Sequence, residues 1–192
     1  MSTLAALRAA AWPAHQRLEK RLGVKDRFTE LARYRAHLEH MWGFCAGLEQ
    51  RLEVTDFASV LEDYAERRKL PLLTRDLLAL GADAGAVGRL PCCGALPVLA
   101  DTAGAFGCAY VLEGATLGGR TLLPLVESRL GLSATHGAAF LASYGDNVDE
   151  MWRGFGAALE AWCDRPARRA SATAAAVATF VALEDWLMGP PA

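Results

Sequence analysis

Residues 104–131 have the sequence GAFGCAYVLEGATLGGRTLLPLVESRLG, and this stretch decides the fold class. Its apolar residues recur at intervals of three and four, as they do on one face of an α-helix. Gly131 can end such a helix, because glycine tolerates the left-handed backbone conformation of a C-cap. We therefore predict a long helix over about residues 97–130.

Five glycines lie inside this predicted helix, although each costs roughly 1 kcal/mol relative to alanine. Gly114 and Gly118 are four residues apart and share one helix face, and Thr116 and Gly119 add small groups near the same turn. The backbone could therefore approach a flat ligand closely at this face, and the helix could bend there. Tight packing against another helix explains the same glycines without a ligand, so the segment alone leaves both alternatives open.

The rest of the chain shows the same helical periodicity. Residues with β-branched side chains rarely alternate with polar ones, so we predict an all-α fold with a single domain over residues 1–192. A stretch rich in Gly and Pro around residues 83–96 is predicted to be irregular. The remaining predicted helices cover about residues 3–23, 29–52, 71–81, 134–163 and 169–188.

The first predicted helix carries a histidine among its apolar residues. In LAALRAAAWPAHQRLEKRLG (residues 4–23) the apolar positions follow each other in steps of three and four, and His15 occupies one of these steps. Its imidazole is therefore predicted to point inward. Glu19 lies one turn further on, where a carboxylate can orient a metal-bound imidazole. Arg8 lies two turns earlier, about 10 Å along the axis, which suits the propionates of a heme.

A second interpretation of this helix needs no ligand. A core histidine that is satisfied by Glu19, with Arg8 at the solvent edge, explains the same pattern. Pro13 affects both interpretations, because it lacks an N–H and crowds the carbonyl four residues earlier. We expect the helix to kink just before His15.

Composition excludes several classes of function. The net charge is −2, with 20 basic and 22 acidic residues spread along the chain, so we expect no nucleic-acid partner. The N-terminus lacks the pattern of a secretory signal and no apolar run approaches a membrane span, which predicts a soluble, cytoplasmic protein. The five cysteines form no C-x-x-C pair and are predicted to be reduced thiols, most of them packed in the core, with a redox pair of Cys92 and Cys93 as the alternative.

Taken together, these motifs resemble those of the heme oxygenase family, especially its bacterial biliverdin-producing branch, the bacteriophytochrome-associated type. The resemblance spans most of the chain. It rests on Leu7-Arg8 followed by His15-x-x-Leu18-Glu19, on Tyr34-x-x-x-Leu38, on Tyr110-Val-Leu-Glu-Gly114-Ala-Thr-Leu-Gly118-Gly119, and on Phe140-x-x-Tyr144-Gly145 followed by Trp152-x-x-Phe155.

The resemblance implies a helical bundle that holds heme between the first helix and a kinked, glycine-rich distal helix. It implies that His15 is the proximal ligand of the heme iron, and that Gly114, Gly118 and Gly119 form the distal wall where the chemistry takes place. It also places four further residues at the heme. Arg8 and Arg153 occupy positions that contact the propionates, and the other two residues are Glu19 and Tyr110.

The activity that the resemblance implies is the oxidative cleavage of heme, which is both substrate and cofactor, to biliverdin, CO and ferrous iron. O2 and reducing equivalents are needed, and the implied electron donor is a ferredoxin or a flavoprotein reductase. A bacteriophytochrome is the implied acceptor of biliverdin. The basic cluster of Arg165, Arg168 and Arg169 could dock an acidic donor, or it could simply be a solvated surface.

One position departs from the family pattern. Mammalian members have an aspartate directly after the first distal glycine, where it holds a water network, whereas this chain has Ala115. Several bacterial relatives also lack this carboxylate and order water through backbone groups, so the resemblance still implies activity but leaves the proton route undefined. Glu113 is the nearest carboxylate in sequence, but it lies about 100° round the helix from Gly114 and is given no role.

Other functions on the same scaffold have weaker support. Thiamin-salvage hydrolases and di-iron oxidases share the fold, but the sequence lacks the Glu-x-x-His spacing of a di-iron bundle. It also shows no local signature of a cysteine nucleophile with acidic partners. The serious alternative is a heme-binding or heme-carrier protein without activity, because the same His15 serves both binding and turnover.

Overall fold

The structure is a computed structural model that describes residues 2–23 and 28–189. Within those ranges the chain is helical and contains no β-strand, which confirms the predicted all-α class. The elements, in chain order, are α1 (Thr3–Leu22), α2 (Leu31–Glu53), α3 (Phe57–Val60), α4 (Tyr64–Arg67), α5 (Leu70–Ala79), α6 (Ala84–Val87), α7 (Thr102–Leu130), α8 (Ala139–Ala142), a 3-10 turn (Gly145–Asn147), α9 (Val148–Trp162) and α10 (Pro166–Met188).

The long helices α1, α2, α7 and α10 lie where periodicity predicts them, to within a few residues. The largest shift is at the start of α7, which begins at Thr102 instead of about 97. Asp101 fixes this start, because its side chain accepts a hydrogen bond from the Gly104 N–H at 2.7 Å as an N-cap. At the other end, Gly131 has a φ of 67°, the left-handed C-cap that the sequence predicts.

The single helix predicted over 134–163 is wrong. The Ser133 and His136 backbones exchange two hydrogen bonds of 2.9 Å, so this part of the chain turns. Helix α8 is then started by Asp76, whose carboxylate accepts hydrogen bonds from the Ala139 and Phe140 N–H groups, both at 2.7 Å. Ser143 ends α8 with a φ of 48°, which is rare for a residue with a side chain. Periodicity does not reveal a helix start supplied by a distant carboxylate.

Helix α10 lies between α1 and α7 and packs along both of them. Gly107 of α7 makes one of these contacts, since a Cβ there would overlap the carbonyl oxygen of Ala172. This glycine therefore serves helix packing, the alternative that needs no ligand. The core around these helices contains fully buried aromatic side chains, among them Tyr34, Phe44, Phe106 and Phe155.

The cysteines behave as the sequence predicts. All five have free thiols, and four are buried while Cys92 is exposed.

No helix in residues 2–23 and 28–189 is long and apolar enough to cross a membrane.

Helix α1 is continuous across Pro13 and is held at both ends by buried or half-buried carboxylates. At its start, Glu160 accepts hydrogen bonds from the N–H groups of Thr3 and Leu4, each at 2.8 Å. Near its end, Glu184 of α10 accepts from Arg17 and Arg21, again at 2.8 Å. These two anchors fix the position of α1, and with it His15, relative to α9 and α10.

We predict that Glu184→Gln destabilises the protein near neutral pH but not in acid. Burial acts to raise the pKa of Glu184, but the hydrogen bonds and charges of Arg21 and Arg17 outweigh it and lower the pKa below its ordinary value of 4.5. The carboxylate therefore adds stability above about pH 4.5, which is lost as the pH falls through the lower folded-state pKa.

The expected loss near neutral pH is about 1–2 kcal/mol, at the lower end for charged hydrogen bonds because both arginines are partly exposed. Urea unfolding of both proteins between pH 3 and pH 7 measures it. A difference in unfolding free energy that stays constant across this range would contradict the assignment.

Candidate functional site

His15 lies at the surface of α1 that meets α10. Its side chain is 36% exposed, with Phe180 edge-on at 5.4 Å between ring centroids and Trp12 stacked at 5.5 Å. One ring nitrogen, Nε2, is 3.6 Å from Glu19 Oε1. The other, Nδ1, is buried and has no hydrogen-bond partner in the described part of the chain.

The unpartnered nitrogen discriminates between the two interpretations of this histidine. A core histidine would have both ring nitrogens satisfied, because an unpaired buried polar atom costs about 1–3 kcal/mol. Here Glu19 Oε1 lies 3.6 Å from Nε2, beyond hydrogen-bond distance, and Nδ1 has no described partner, so neither ring nitrogen is satisfied as it would be in a core histidine. The geometry therefore fits a heme iron at His15.

The glycines of α7 divide into two groups. A Cβ on Gly114 or Gly118 would meet no described atom within 4 Å, so their shared face borders open space. A Cβ on Gly119 would overlap the carbonyl oxygen of Leu141 in α8, so Gly119 is used in helix packing. The structure thus leaves room for a flat ligand at Gly114 and Gly118, and it separates Gly119 from the predicted wall.

Tyr110 lies one turn before Gly114 on the same face of α7. Its ring is 5.9 Å from that of Trp152 in α9. Burial raises the pKa of the Tyr110 phenol, and the positive charge of Arg8 offsets part of this rise. Tyr110, Trp152 and Arg8, which belong to three different helices, are therefore neighbours beside the open face.

Arg153 is exposed, and its Nε donates to the Asp149 carbonyl at 3.3 Å. Arg153 lies on the same face of α9 as Gly156 and Glu160. Those two residues lie against the start of α1, Gly156 beside Leu4 and Glu160 as the acceptor for the Thr3 N–H. Arg8 continues the facing stripe of α1 in the same direction, one turn after Leu4. Both cations thus lie beyond the contact between the two helices, on the same side of it.

Ala115 is exposed and brings no carboxylate to the site, whereas its neighbour Glu113 is 2% exposed. The Glu113 carboxylate accepts hydrogen bonds from Arg67 at 2.7 Å, from Lys69 at 3.0 Å and from the Tyr144 hydroxyl at 2.6 Å. Arg67 in turn donates to Asp63 through two nitrogens at 2.6 Å. We call these five residues the Glu113 cluster.

Electrostatic balance explains how the Glu113 cluster can be buried. Its two cations face two carboxylates, so the group is neutral while Tyr144 keeps its proton. Burial lowers the pKa of Lys69, and the charge and hydrogen bond of Glu113 oppose this. Burial, and then the charge of Glu113, raise the pKa of Tyr144. The cluster joins α4, α7 and the turn after α8.

We predict that Glu113→Gln lowers the unfolding free energy by about 2–3 kcal/mol, because Arg67 and Lys69 would remain buried without a full counter-charge. Chemical denaturation measures this loss. The control is Asp149→Asn, which removes the carboxylate of an exposed pair with Arg120 and should cost less than about 1 kcal/mol. Equal losses in the two variants would show that the cluster does not anchor α7.

Residues 2–23 and 28–189 contain no group of three His, Cys, Asp or Glu side chains placed to hold a metal ion by themselves. His15 with its unpartnered nitrogen is instead suited to give one protein ligand to an iron that a macrocycle already holds.

Comparison with known proteins settles the family. The family model described as heme oxygenase matches residues 1–188. The chain belongs to the heme oxygenase family. A heme oxygenase of Xanthomonas campestris pv. campestris (strain 8004) is 33% identical over 138 residues, which cover 70% of this chain and 76% of that protein. Members of this family degrade heme and use it both as substrate and as prosthetic group, and this chain is such an enzyme.

Two solved structures share its fold. The NO- and CO-bound heme oxygenase from Neisseria meningitidis superposes with a TM-score of 0.84 at 22% identity, covering 100% of this chain and 94% of that one. The heme oxygenase from Leptospira interrogans gives a TM-score of 0.77 at 17% identity, covering 97% and 98%. The single helical domain is therefore the heme oxygenase fold.

Proposed function

We propose that this heme oxygenase binds heme between α1 and the open face of α7, with His15 as the iron ligand, and cleaves it to biliverdin, CO and ferrous iron. The observation that carries this assignment is the buried, unpartnered ring nitrogen of His15. The open face at Gly114 and Gly118 supports it, because a flat macrocycle needs a wall without side chains.

In the proposed mechanism the bound heme supplies the iron that binds and activates O2, and the chain controls the surroundings. Glu19 holds the imidazole of His15 in orientation, and Phe180 restricts its rotation from the side. Gly114 and Gly118 leave room for the macrocycle and for O2. Ala115 is exposed beside this face and brings no carboxylate to it.

The rim of the site is positively charged. Arg8 and Arg153 lie on one side of the contact between α1 and α9, where they would bind the propionates of the heme. Tyr110 and Trp152 would cover the neighbouring edge of the ring. Such binding would fix how the macrocycle is rotated, and with it which meso carbon is attacked.

The partners in this proposal are those that the resemblance to the family implies. Reducing equivalents come from a ferredoxin or a flavoprotein reductase, and a bacteriophytochrome takes up the biliverdin. We also propose that the enzyme works in the cytoplasm, and that residues 1–192 act as one domain.

Turnover of bound hemin tests the proposal. Purified protein with hemin, a ferredoxin, its reductase and NADPH should lose the heme absorption and release biliverdin and CO, which are measured by chromatography and by capture with ferrous myoglobin. Catalase excludes cleavage by free peroxide. A ferrous or oxy spectrum that persists without biliverdin would leave only a heme carrier.

A further inference from the structure

Asp76 of α5 is a fully buried carboxylate, and both of its oxygens are used far away in the chain. Oδ1 accepts a hydrogen bond from the Ala139 N–H and Oδ2 accepts one from the Phe140 N–H, each at 2.7 Å. These are the first two N–H groups of α8, which have no acceptor within the helix itself. Asp76 therefore holds the start of α8 through two short hydrogen bonds.

Further contacts fix α8 on both sides. The Tyr34 hydroxyl donates to the Gly137 carbonyl at 3.0 Å just before the helix, and the Tyr144 hydroxyl donates to Glu113 at 2.6 Å just after it. Ser143, which ends the helix, keeps a φ of 48°, a left-handed conformation that costs free energy for a residue with a Cβ. The strain indicates that these contacts, and not the local sequence, determine where α8 lies.

Helix α8 in turn lies directly on α7. A Cβ at Gly119 would overlap the carbonyl oxygen of Leu141 and come within 3.3 Å of its Cα, so the two backbones touch with no side chain between them. Gly119 follows Gly118, whose Cβ would meet no described atom within 4 Å. Because closely packed interiors transmit displacement, a shift of α8 moves the backbone of α7 next to its open face.

We propose that Asp76 is a positioning residue for heme cleavage, which through α8 sets how closely the α7 backbone at Gly118 approaches the ring. The inference rests on the proposed function, since it needs a heme on the open face of α7. The carboxylate binds α8, so its effect on that face passes through the contact between Leu141 and Gly119. The approach of α7 determines how a ligand on the iron is crowded, and toward which edge of the ring it leans.

The test compares Asp76→Ala and Asp76→Asn with the wild type. The alanine leaves both N–H groups of α8 without their acceptor, whereas the asparagine oxygen still accepts one. Both variants should bind hemin with His15 as the ligand. The C–O stretching band of the ferrous CO complex should shift, more in Asp76→Ala, because it responds to the groups around the distal ligand. Biliverdin formation should slow at least about tenfold in Asp76→Ala, with altered proportions of the meso isomers.

Amide hydrogen exchange of the apoprotein gives a readout that needs no heme. In Asp76→Ala, exchange should accelerate at Ala142 and Ser143, whose N–H groups donate within α8, and also at residues 117–120 of α7. Acceleration that is confined to α8 would show that Asp76 only caps this short helix, and it would overturn the proposal.

The matched control is Leu52→Ala, which opens a cavity at a fully buried leucine near the end of α2. It should lower stability but leave the C–O band, the isomer proportions and exchange at residues 117–120 unchanged. The same changes in Leu52→Ala as in Asp76→Ala would mean that any loss of stability disturbs α7, against the proposal. A wild-type C–O band in Asp76→Ala also contradicts it, and Asp76→Asn decides in the same way if the alanine variant does not fold.

Failure of this inference is distinguishable from failure of the proposed function. If the wild type converts hemin to biliverdin while both Asp76 variants show the wild-type C–O band and isomer proportions, only the role of Asp76 fails. If the wild type forms no biliverdin with any reductant, the proposed function itself fails.

Discussion

Replacing His15 with alanine should abolish the conversion of heme to biliverdin while leaving the fold intact. The side chain is 36% exposed and one ring nitrogen has no described partner, so its removal costs the apoprotein little. The holoprotein loses its iron ligand. Changes to groups that merely orient a metal ligand cost about 10–100-fold, so we expect the loss of the ligand itself to exceed a hundredfold.

Three measurements check this prediction. Biliverdin release reports activity, the ferrous heme spectrum reports the axial ligand, and thermal unfolding of the apoprotein reports the fold. Added imidazole should restore part of the activity, because it fits the space that the side chain leaves. The control is His40→Ala, since His40 is exposed on α2 and its ring contacts Trp186 instead. A His15→Ala protein with an unchanged heme spectrum would sink the ligand assignment.

Gly118→Leu should weaken heme binding by at least about a hundredfold and yet stabilise the apoprotein. No described atom lies within 4 Å of a Cβ at this position, so the side chain meets nothing until a macrocycle occupies the face. Overlap with a bound ring costs upward of about 3 kcal/mol, which corresponds to that loss in affinity. Without heme, replacement of a helical glycine adds up to about 1 kcal/mol of helix propensity.

This prediction is specific because heme affinity should fall while the stability of the apoprotein should rise. Hemin titration followed in the Soret band measures the affinity, and urea unfolding of the apoprotein measures the stability. Gly119→Ala is the matched control one residue away, and it should destabilise the apoprotein because its Cβ would overlap the Leu141 carbonyl oxygen. Undiminished hemin affinity in Gly118→Leu would place the heme elsewhere.

Sequence periodicity predicts the helices of the site well, because α1 and α7 are long and their faces are set by local spacing. The steps of three and four in α1 place Leu7 and Leu18 in the core and His15 beside them. The same spacing puts Gly114 and Gly118 on one face of α7. It does not say what that face meets, and only the structure separates these two glycines from Gly107 and Gly119, which pack against backbone.

The features that sequence analysis missed depend on residues far apart in the chain. Glu113 has no local signal of function, yet its partners Arg67 and Lys69 lie 46 and 44 positions earlier and bury it in a neutral cluster. Asp76 starts α8 from 63 positions away. Lys69 is buried in the structure, but its position beside an apolar stretch does not predict this, because such a lysine is usually solvated.

The most direct test of the whole account is a crystal structure of the protein with ferric heme. The account predicts iron bound to a ring nitrogen of His15, the macrocycle against Gly114 and Gly118, and the propionates directed toward Arg8 and Arg153. Heme bound instead in the groove between α1 and α10 that Ala6, Ala170 and Val177 line, or iron held by any residue other than His15, would contradict it.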